Sequence, residues 1–250
     1  MEKNSGLHLV NKRLGETPLE AIQRFKKENL ELDFLPMTYA GRLDPMAEGL
    51  LLILSGEKVH EKEKYLNLEK EYEFEILWGF ESDTLDILGL VLGSENKSPE
   101  ESDIQKYLEK AVGKFQQLYP AYSSRPVNGK SLFEWAREGK ISEIDIPKHE
   151  VEIFSADFIE RRKMDSEDLL KEVLEKINLV NGDFRQEEIK EKWKKILHGK
   201  EKDFFVIDKI KLKVSSGLYI RQFVFDLAKY FGQIALTLSI KRTKVGEFST

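Results

Sequence analysis

Residues 39–54 read Tyr-Ala-Gly-Arg-Leu-Asp-Pro-Met-Ala-Glu-Gly-Leu-Leu-Leu-Ile-Leu, and they set one carboxylate, Asp44, in a closely specified turn ahead of an apolar run. Gly41 frees the backbone before it, Pro45 fixes φ after it and biases Asp44 toward an extended conformation, and Gly49 allows a second bend. Leu50 to Leu54 is unbroken by any polar residue and bounded by Ser55-Gly56, too short to cross a bilayer and suited to a fully buried strand. The pattern predicts a carboxylate at the mouth of a core strand. Asp-Pro is also a common turn dipeptide, so spacing alone assigns Asp44 no chemistry.

The chain has 250 residues, enough for one large core or two small ones, and no cysteine, which rules out disulfides and thiolate metal sites. Its 40 Lys and Arg against 45 Asp and Glu give a net charge of −5, the wrong balance for a protein that coats nucleic acid indiscriminately. Any RNA contact must therefore come from a local patch. His8, His60, His149 and His198 are too scattered for a zinc motif, so no metal ion is expected. The opening Met-Glu-Lys-Asn-Ser-Gly lacks a signal-peptide pattern and no apolar run approaches membrane length; a cytoplasmic protein is expected.

Outward from the central stretch, Leu7 to Val10 is a short strand ending at Asn11-Lys12. Thr17-Pro18-Leu19-Glu20 is a capping box opening a helix to about Asn29, with Ala21, Ile22 and Phe25 on its apolar face. Tyr72, Phe74, Ile76 and Trp78 alternate with Glu71, Glu73 and Glu75, the period of a strand with one buried face, and Gly79 ends it. An acidic loop, Glu81-Ser82-Asp83-Thr84-Leu85-Asp86, then joins a hairpin-like pair with Leu90 to Leu92. Ser98-Pro99-Glu100-Glu101 predicts a helix through about Lys114 with Ile104, Leu108, Ala111 and Val112 inward, and a short helix is expected from Ser131 to Glu138. Gly129-Lys130-Ser131 is not a phosphate loop, since Ser124 stands where that motif needs its first glycine. From Arg161 to Asp203 the composition is strongly charged, with amphipathic helices at about Ser166 to Ile177 and Gln186 to Leu197; the charges read as solvated faces and carry no assigned chemistry. Phe205 to Val214 alternates as a strand, a helix follows to Gly232, and Ile234 to Ile240 is again apolar.

Gly-Arg-Leu-Asp-Pro-Met-Ala-Glu-Gly-Leu-Leu resembles the catalytic motif of pseudouridine synthases, most closely that of the TruB family, the tRNA pseudouridine-55 synthases. Lys70-x-Tyr72, Asp83-Thr84-Leu85-Asp86, Tyr119 to Lys130, Gly217-Leu218-Tyr219-Ile220-Arg221 and the closing Lys241 to Phe248 resemble other TruB segments. The resemblance implies a single α+β catalytic domain over 1–250, a curved mixed or mainly antiparallel sheet flanked by helices. It would carry an RNA-clasping insertion at about 116–147 and a charged helical insertion at about 161–203. It also implies cofactor-free isomerisation of uridine 55 in the T-loop of tRNA by a monomer that recognises the T-arm stem-loop.

Carried onto this chain, the resemblance makes Asp44 the nucleophile, Tyr72 the active-site tyrosine, and Arg221 the arginine that fixes Asp44 by a forked contact. RNA contacts fall to Tyr39, Arg42, Arg125, Lys130, Lys241, Arg242 and Lys244, and to Lys12, which would also support the active-site loop. The chain departs from the family pattern in several places. Tyr39 stands where the family has a histidine that takes part in nucleotide flipping, and its ring would stack on a base instead. Arg13 replaces the proline of the opening Lys-Pro-x-Gly motif, and Arg125-Pro126 shifts the basic position of the clasp by one. The chain also stops two residues after Phe248, which implies a form without the small C-terminal RNA-binding domain of many relatives. Two rival readings stay open: a catalytically weak or inactive RNA-binding or chaperone protein of the same fold, or a synthase acting on another RNA. A glycoside hydrolase pairing Asp44 with Glu48, Asp83 or Asp86 is a more distant third.

Overall fold

In the computed structural model, which describes residues 6–200 and 202–249, strand β1 (Gly6–Lys12) and helix α1 (Pro18–Glu28) form where the sequence predicts. The Thr17 hydroxyl accepts from the Glu20 N–H while the Glu20 carboxylate accepts from the Thr17 N–H, so two otherwise unpaired amides are satisfied. Strand β2 (Met37–Ala40) runs into the Asp44 turn and β3 (Ala47–Ser55) leaves it, with Leu50 to Leu54 almost wholly buried. Gly49 adopts φ +103°, and a Cβ there would lie 2.3 Å from the Arg242 carbonyl oxygen, so no larger residue fits. The short α2 (Lys62–Leu66) leads to β4 (Lys70–Trp78). Its Tyr72, Phe74, Ile76 and Trp78 face one core, and Glu71 and Glu73 pair with Lys211 and Lys209 at 3.1 and 3.4 Å.

The acidic loop lies in a hairpin of β5 (Phe80–Ser82) and β6 (Val91–Ser94). Next come α3 (Glu101–Ala111), β7 (Gly113–Leu118), a small hairpin of β8 (Pro126–Val127) and β9 (Lys130–Ser131), α4 (Leu132–Arg137) and β10 (Lys148–Asp165). Helices α5 (Ser166–Asn178) and α6 (Gln186–Leu197) precede β11 (Phe204–Val214), α7 (Ile220–Tyr230), β12 (Ala235–Val245) and β13 (Phe248–Ser249).

Among the described residues nine strands form one mixed sheet in the order β1-β3-β12-β4-β11-β10-β7, with β2 on β3 and β13 on β12. All its pairings are antiparallel except β3 with β12. Along one edge β3 changes neighbour: Ala47 to Gly49 lie beside β12, Leu52 to Ser55 beside β2. The Asp44 turn sits at this fork, in the body of the sheet. Helices α3 and α7 cover one face, packing Ile104, Phe223 and Leu227 on Phe74, Ile76 and Ile210. The other face meets α5 and α6, whose Leu169, Val173, Ile189 and Trp193 cover Leu77, Phe205 and Ile207. The α+β expectation holds, and the charged helices prove to be a covering layer whose apolar stripe completes the core.

Two local expectations give way. Helix α3 starts at Glu101, not Ser98, with Glu100 as an extended cap residue; it stops at Ala111, because Gly113 takes φ +121° and residues to Leu118 pair with β10 instead, leaving Val112 exposed. The 18-residue β10 is not predicted at all. Register shifts between Ile153 and Ser155 and between Phe158 and Glu160 reset its alternation twice, so no period-2 signal survives. Its Arg161 and Arg162 belong to the strand and meet Asp208 at 2.7 Å and Glu75 at 2.9 Å. Among the described residues no helix is long and apolar enough to cross a membrane.

Candidate active site

Two buried cations hold the β2–β3 turn from beneath. Lys12, fully buried at the end of β1, donates from Nζ to the carbonyls of Ala47 and Arg13. Burial lowers its pKa to about 8, with nearby Glu16 and Asp44 pulling the other way. Arg242 on β12 donates from Nε to the Leu50 carbonyl at 2.7 Å and from Nη2 to that of Gly41 at 3.1 Å. The Pro45 carbonyl accepts from the Gly15 N–H at 2.9 Å, and that of Asp44 from the Ala47 N–H at 3.0 Å. Both limbs of the turn are thereby fixed.

Arg221, buried in the first turn of α7, reaches the turn from the opposite side. Its Nε donates to Asp44 Oδ2 at 2.8 Å, Nη1 to the Thr84 carbonyl at 2.6 Å and Nη2 to the Tyr122 carbonyl at 3.1 Å. The forked contact with Asp44 is not made: two of the three nitrogens are held by main-chain oxygens, which leaves one bond for the carboxylate. Asp44 itself is one-third exposed, at 33 %, so it is anchored and still open to the cleft. Asp86 Oδ2 stands 3.7 Å from the same Nε, and its Oδ1 accepts from the Thr84 hydroxyl and the Leu88 N–H.

Burial pushes the Asp86 carboxyl up to about 6, against the pull of Arg221. Since the folded protein holds this proton more tightly than the ordinary value of 3.8, the group's contribution to stability declines as pH rises from 3.8 toward about 6. On the acid side of that value Arg221 loses one of its two carboxylate neighbours. We expect any turnover at this site to fall with an apparent pKa near 6, and the acid limb to disappear in Asp86→Asn. A pH–rate profile showing the limb unmoved in that variant would assign it to another group.

The cleft over Asp44 has a volume of about 530 Å³, room for a nucleotide. Tyr72 from β4 forms part of its wall, and so does Tyr219, whose phenol is pushed up by burial and by the Asp44 charge. Six cations line it, Arg42, Lys70, Arg137, Arg185, Arg221 and Arg242, against the two carboxylates Asp44 and Asp86. Lys70, Arg221 and Arg242 are buried with their donors on protein oxygens, so Arg42, Arg137 and Arg185 are the lining cations left at least partly exposed, on a chain of net charge −5. Among the described residues no group of three or more His, Asp or Glu is placed to hold a metal ion.

Several expected RNA contacts are placed elsewhere. Tyr39 does not line the cleft; its ring packs beside Val10, Ala21 and Ile53, because β2 turns that side of the strand toward α1, and its hydroxyl accepts from Arg42 at 3.3 Å. Lys12 and Arg242 are sealed in the protein with carbonyl partners, so neither is free to meet phosphate; the two Lys12 bonds tie the end of β1 to the turn. Arg42 is exposed on the cleft rim. Arg125 and Lys130 sit on the β8–β9 hairpin beside it, Arg125 over the Tyr119 ring at 5.1 Å and Lys130 paired with Glu138. Lys241 and Lys244 are exposed on β12 outside the cleft, Lys244 lying 3.5 Å from Glu71. The sequence reading missed Tyr219, although its motif is quoted there, and also Arg137 and Arg185. Nothing marks these two arginines within charged runs.

Residues 32–178 match the model of the TruB family pseudouridylate synthase N-terminal domain. The chain belongs to the TruB family. Over 244 residues, 98% of its length, it is 30% identical to the tRNA pseudouridine synthase B of Borreliella afzelii, covering 71% of that relative. It is 27% identical to that of Caldicellulosiruptor saccharolyticus over the same share of the chain, covering 68% of the relative. Among solved structures, the chain resembles one in a crystal structure of a Cbf5-Nop10-Gar1 complex with TM-score 0.60 and 14% identity. That likeness covers 99% of this chain and half of the other, and shows a shared fold.

Proposed function

We propose that this TruB-family protein converts uridine 55 in the T-loop of tRNA to pseudouridine, with Asp44 as nucleophile. The observation that carries the reading is the Arg221 Nε–Asp44 Oδ2 contact of 2.8 Å at the floor of a cationic cleft. A uridine reaches Asp44 only by leaving its stack, and a cleft walled by Tyr72 and Tyr219 suits a flipped base. Arg221 holds the carboxylate aimed into the cleft while the bond between N1 and C1′ of the nucleotide breaks. The detached uracil turns in the cleft, C5 bonds to C1′, and the C5 proton leaves as N1 gains one, so atoms and electrons balance within one nucleotide. Tyr72 is the candidate acceptor for the C5 proton. Arg42 on the rim and Arg125 and Lys130 on the 116–147 clasp would take backbone phosphates.

The substrate reading is tested with an isolated T-arm stem-loop labelled with tritium at C5. Release at a rate within about tenfold of that on full-length tRNA is expected, because every contact proposed above falls within one local hairpin. Release from the whole tRNA alone would show that distant features are read, and tight binding without release from either RNA would leave an RNA-binding protein of this fold.

A further inference from the structure

The charged segment 161–203 reaches the cleft at one point, the turn between α5 and α6. Arg185, the residue before α6, lines the cleft alongside Thr84 and Tyr122. Its Nη1 donates to Asp83 Oδ2 at 2.8 Å, and the same oxygen accepts from the Tyr122 hydroxyl at 3.0 Å, while the guanidinium stands over the Tyr122 ring at 5.3 Å. Asp83 Oδ1 accepts from the Leu90 N–H at 2.7 Å. One carboxylate thus ties the charged insertion, the 116–147 segment and the acidic loop together at the cleft wall. Trp193 of α6, fully buried and bonded to the Ile87 carbonyl at 3.3 Å, fixes the helix behind it to the same loop.

The contrast with Arg221 is in donor use. All three nitrogens of Arg221 are bonded to protein oxygens and the side chain is 4 % exposed. Arg185 gives an N–H to Asp83 and also meets the Tyr122 hydroxyl, is 30 % exposed, and is oriented by a carboxylate and a phenol, so the donors it keeps toward solvent form a pre-set edge. Such an edge fits two oxygens of a phosphate. Arg137 lines the same cleft, so a strand entering there meets guanidinium groups from both insertions.

We propose that Arg185 is a substrate-positioning residue that binds a backbone phosphate of the RNA beside the flipped nucleotide, which makes the charged insertion part of the RNA-binding surface. The proposal rests on the tRNA-modifying reading above and extends it to a segment to which the sequence assigns no chemistry. Tyr122 links the two halves: RNA seated on the 116–147 segment is felt at Arg185 through Asp83.

The test compares wild type, Arg185→Gln and Arg185→Lys on a T-arm stem-loop, measuring dissociation constants across a salt series, single-turnover rates at saturating RNA, and thermal midpoints. Gln keeps a donor for Asp83 and removes the charge. It should weaken binding about tenfold and shrink the log–log salt slope by about 1, with the saturated rate within about threefold of wild type. Lys should restore most of the slope. An Arg185→Gln protein with unchanged affinity and slope overturns the proposal, and so does one whose only losses are in rate and thermal midpoint, the signature of a brace. The wild-type arm separates the two readings: wild type that binds the stem-loop but forms no pseudouridine removes the proposed activity, and the binding arms still decide Arg185. Wild type that does not bind overturns both.

Discussion

Asp44→Asn and Asp44→Ala are expected to abolish pseudouridine formation while leaving T-arm binding within about tenfold of wild type. The carboxylate is one-third exposed and makes a single bond to Arg221, so it contributes little to holding the site together. Arg221 keeps the Thr84 and Tyr122 carbonyls and the Asp86 carboxylate when Asp44 is gone, and the turn keeps its Lys12 and Arg242 supports. Asn retains the shape and an acceptor for Nε but has no nucleophilic charge. Tritium release and filter binding on the same preparations separate chemistry from affinity. Residual turnover above about one percent of wild type in Asp44→Asn would remove the nucleophile assignment.

Tyr72 offers the second large effect, because its ring and hydroxyl can be separated. The residue is 9 % exposed on β4 and lines the cleft, with Phe74, Ile76 and Trp78 continuing the same buried face. If the ring stacks on the flipped uracil, that contact is worth roughly 1–3 kcal/mol, which Phe keeps and Leu loses. If the hydroxyl takes the C5 proton, Phe should cut single-turnover rate by about a hundredfold or more. Tyr72→Phe should therefore bind RNA almost normally and turn over poorly, and Tyr72→Leu should fail at both. A fully active Tyr72→Phe enzyme would leave the tyrosine as a packing residue.

What could be read from the residues and what could not divides along physical lines. Leu50 to Leu54 and the alternation from Glu71 to Trp78 are local patterns, and both strands formed as patterned. The helices expected at 166–177 and 186–197 formed within a residue of those bounds, since each carries a full apolar stripe. Strand β10 stayed hidden because its bulges cancel the period on which a strand is recognised. Asp44 and Arg221 are 177 positions apart, and motif resemblance alone joined them. Resemblance could not say that the pairing would be one bond rather than a fork, because the competing acceptors are main-chain carbonyls, which any sequence supplies. Lys12 and Arg242 show the same limit. A cation at a strand end reads as solvated or phosphate-binding until the fold places buried carbonyls around it. Tyr39 keeps its aligned position, yet β2 turns its ring toward α1 and away from the cleft.

The most direct test of the account is carbodiimide mapping of an unmodified tRNA transcript incubated with the purified protein and, in parallel, with Asp44→Asn. Pseudouridine retains the carbodiimide adduct through alkaline treatment and stops reverse transcriptase. The account predicts one new stop at uridine 55 with wild type and none with the variant. Stops at other uridines with position 55 untouched, or the same stop with Asp44→Asn, would contradict it.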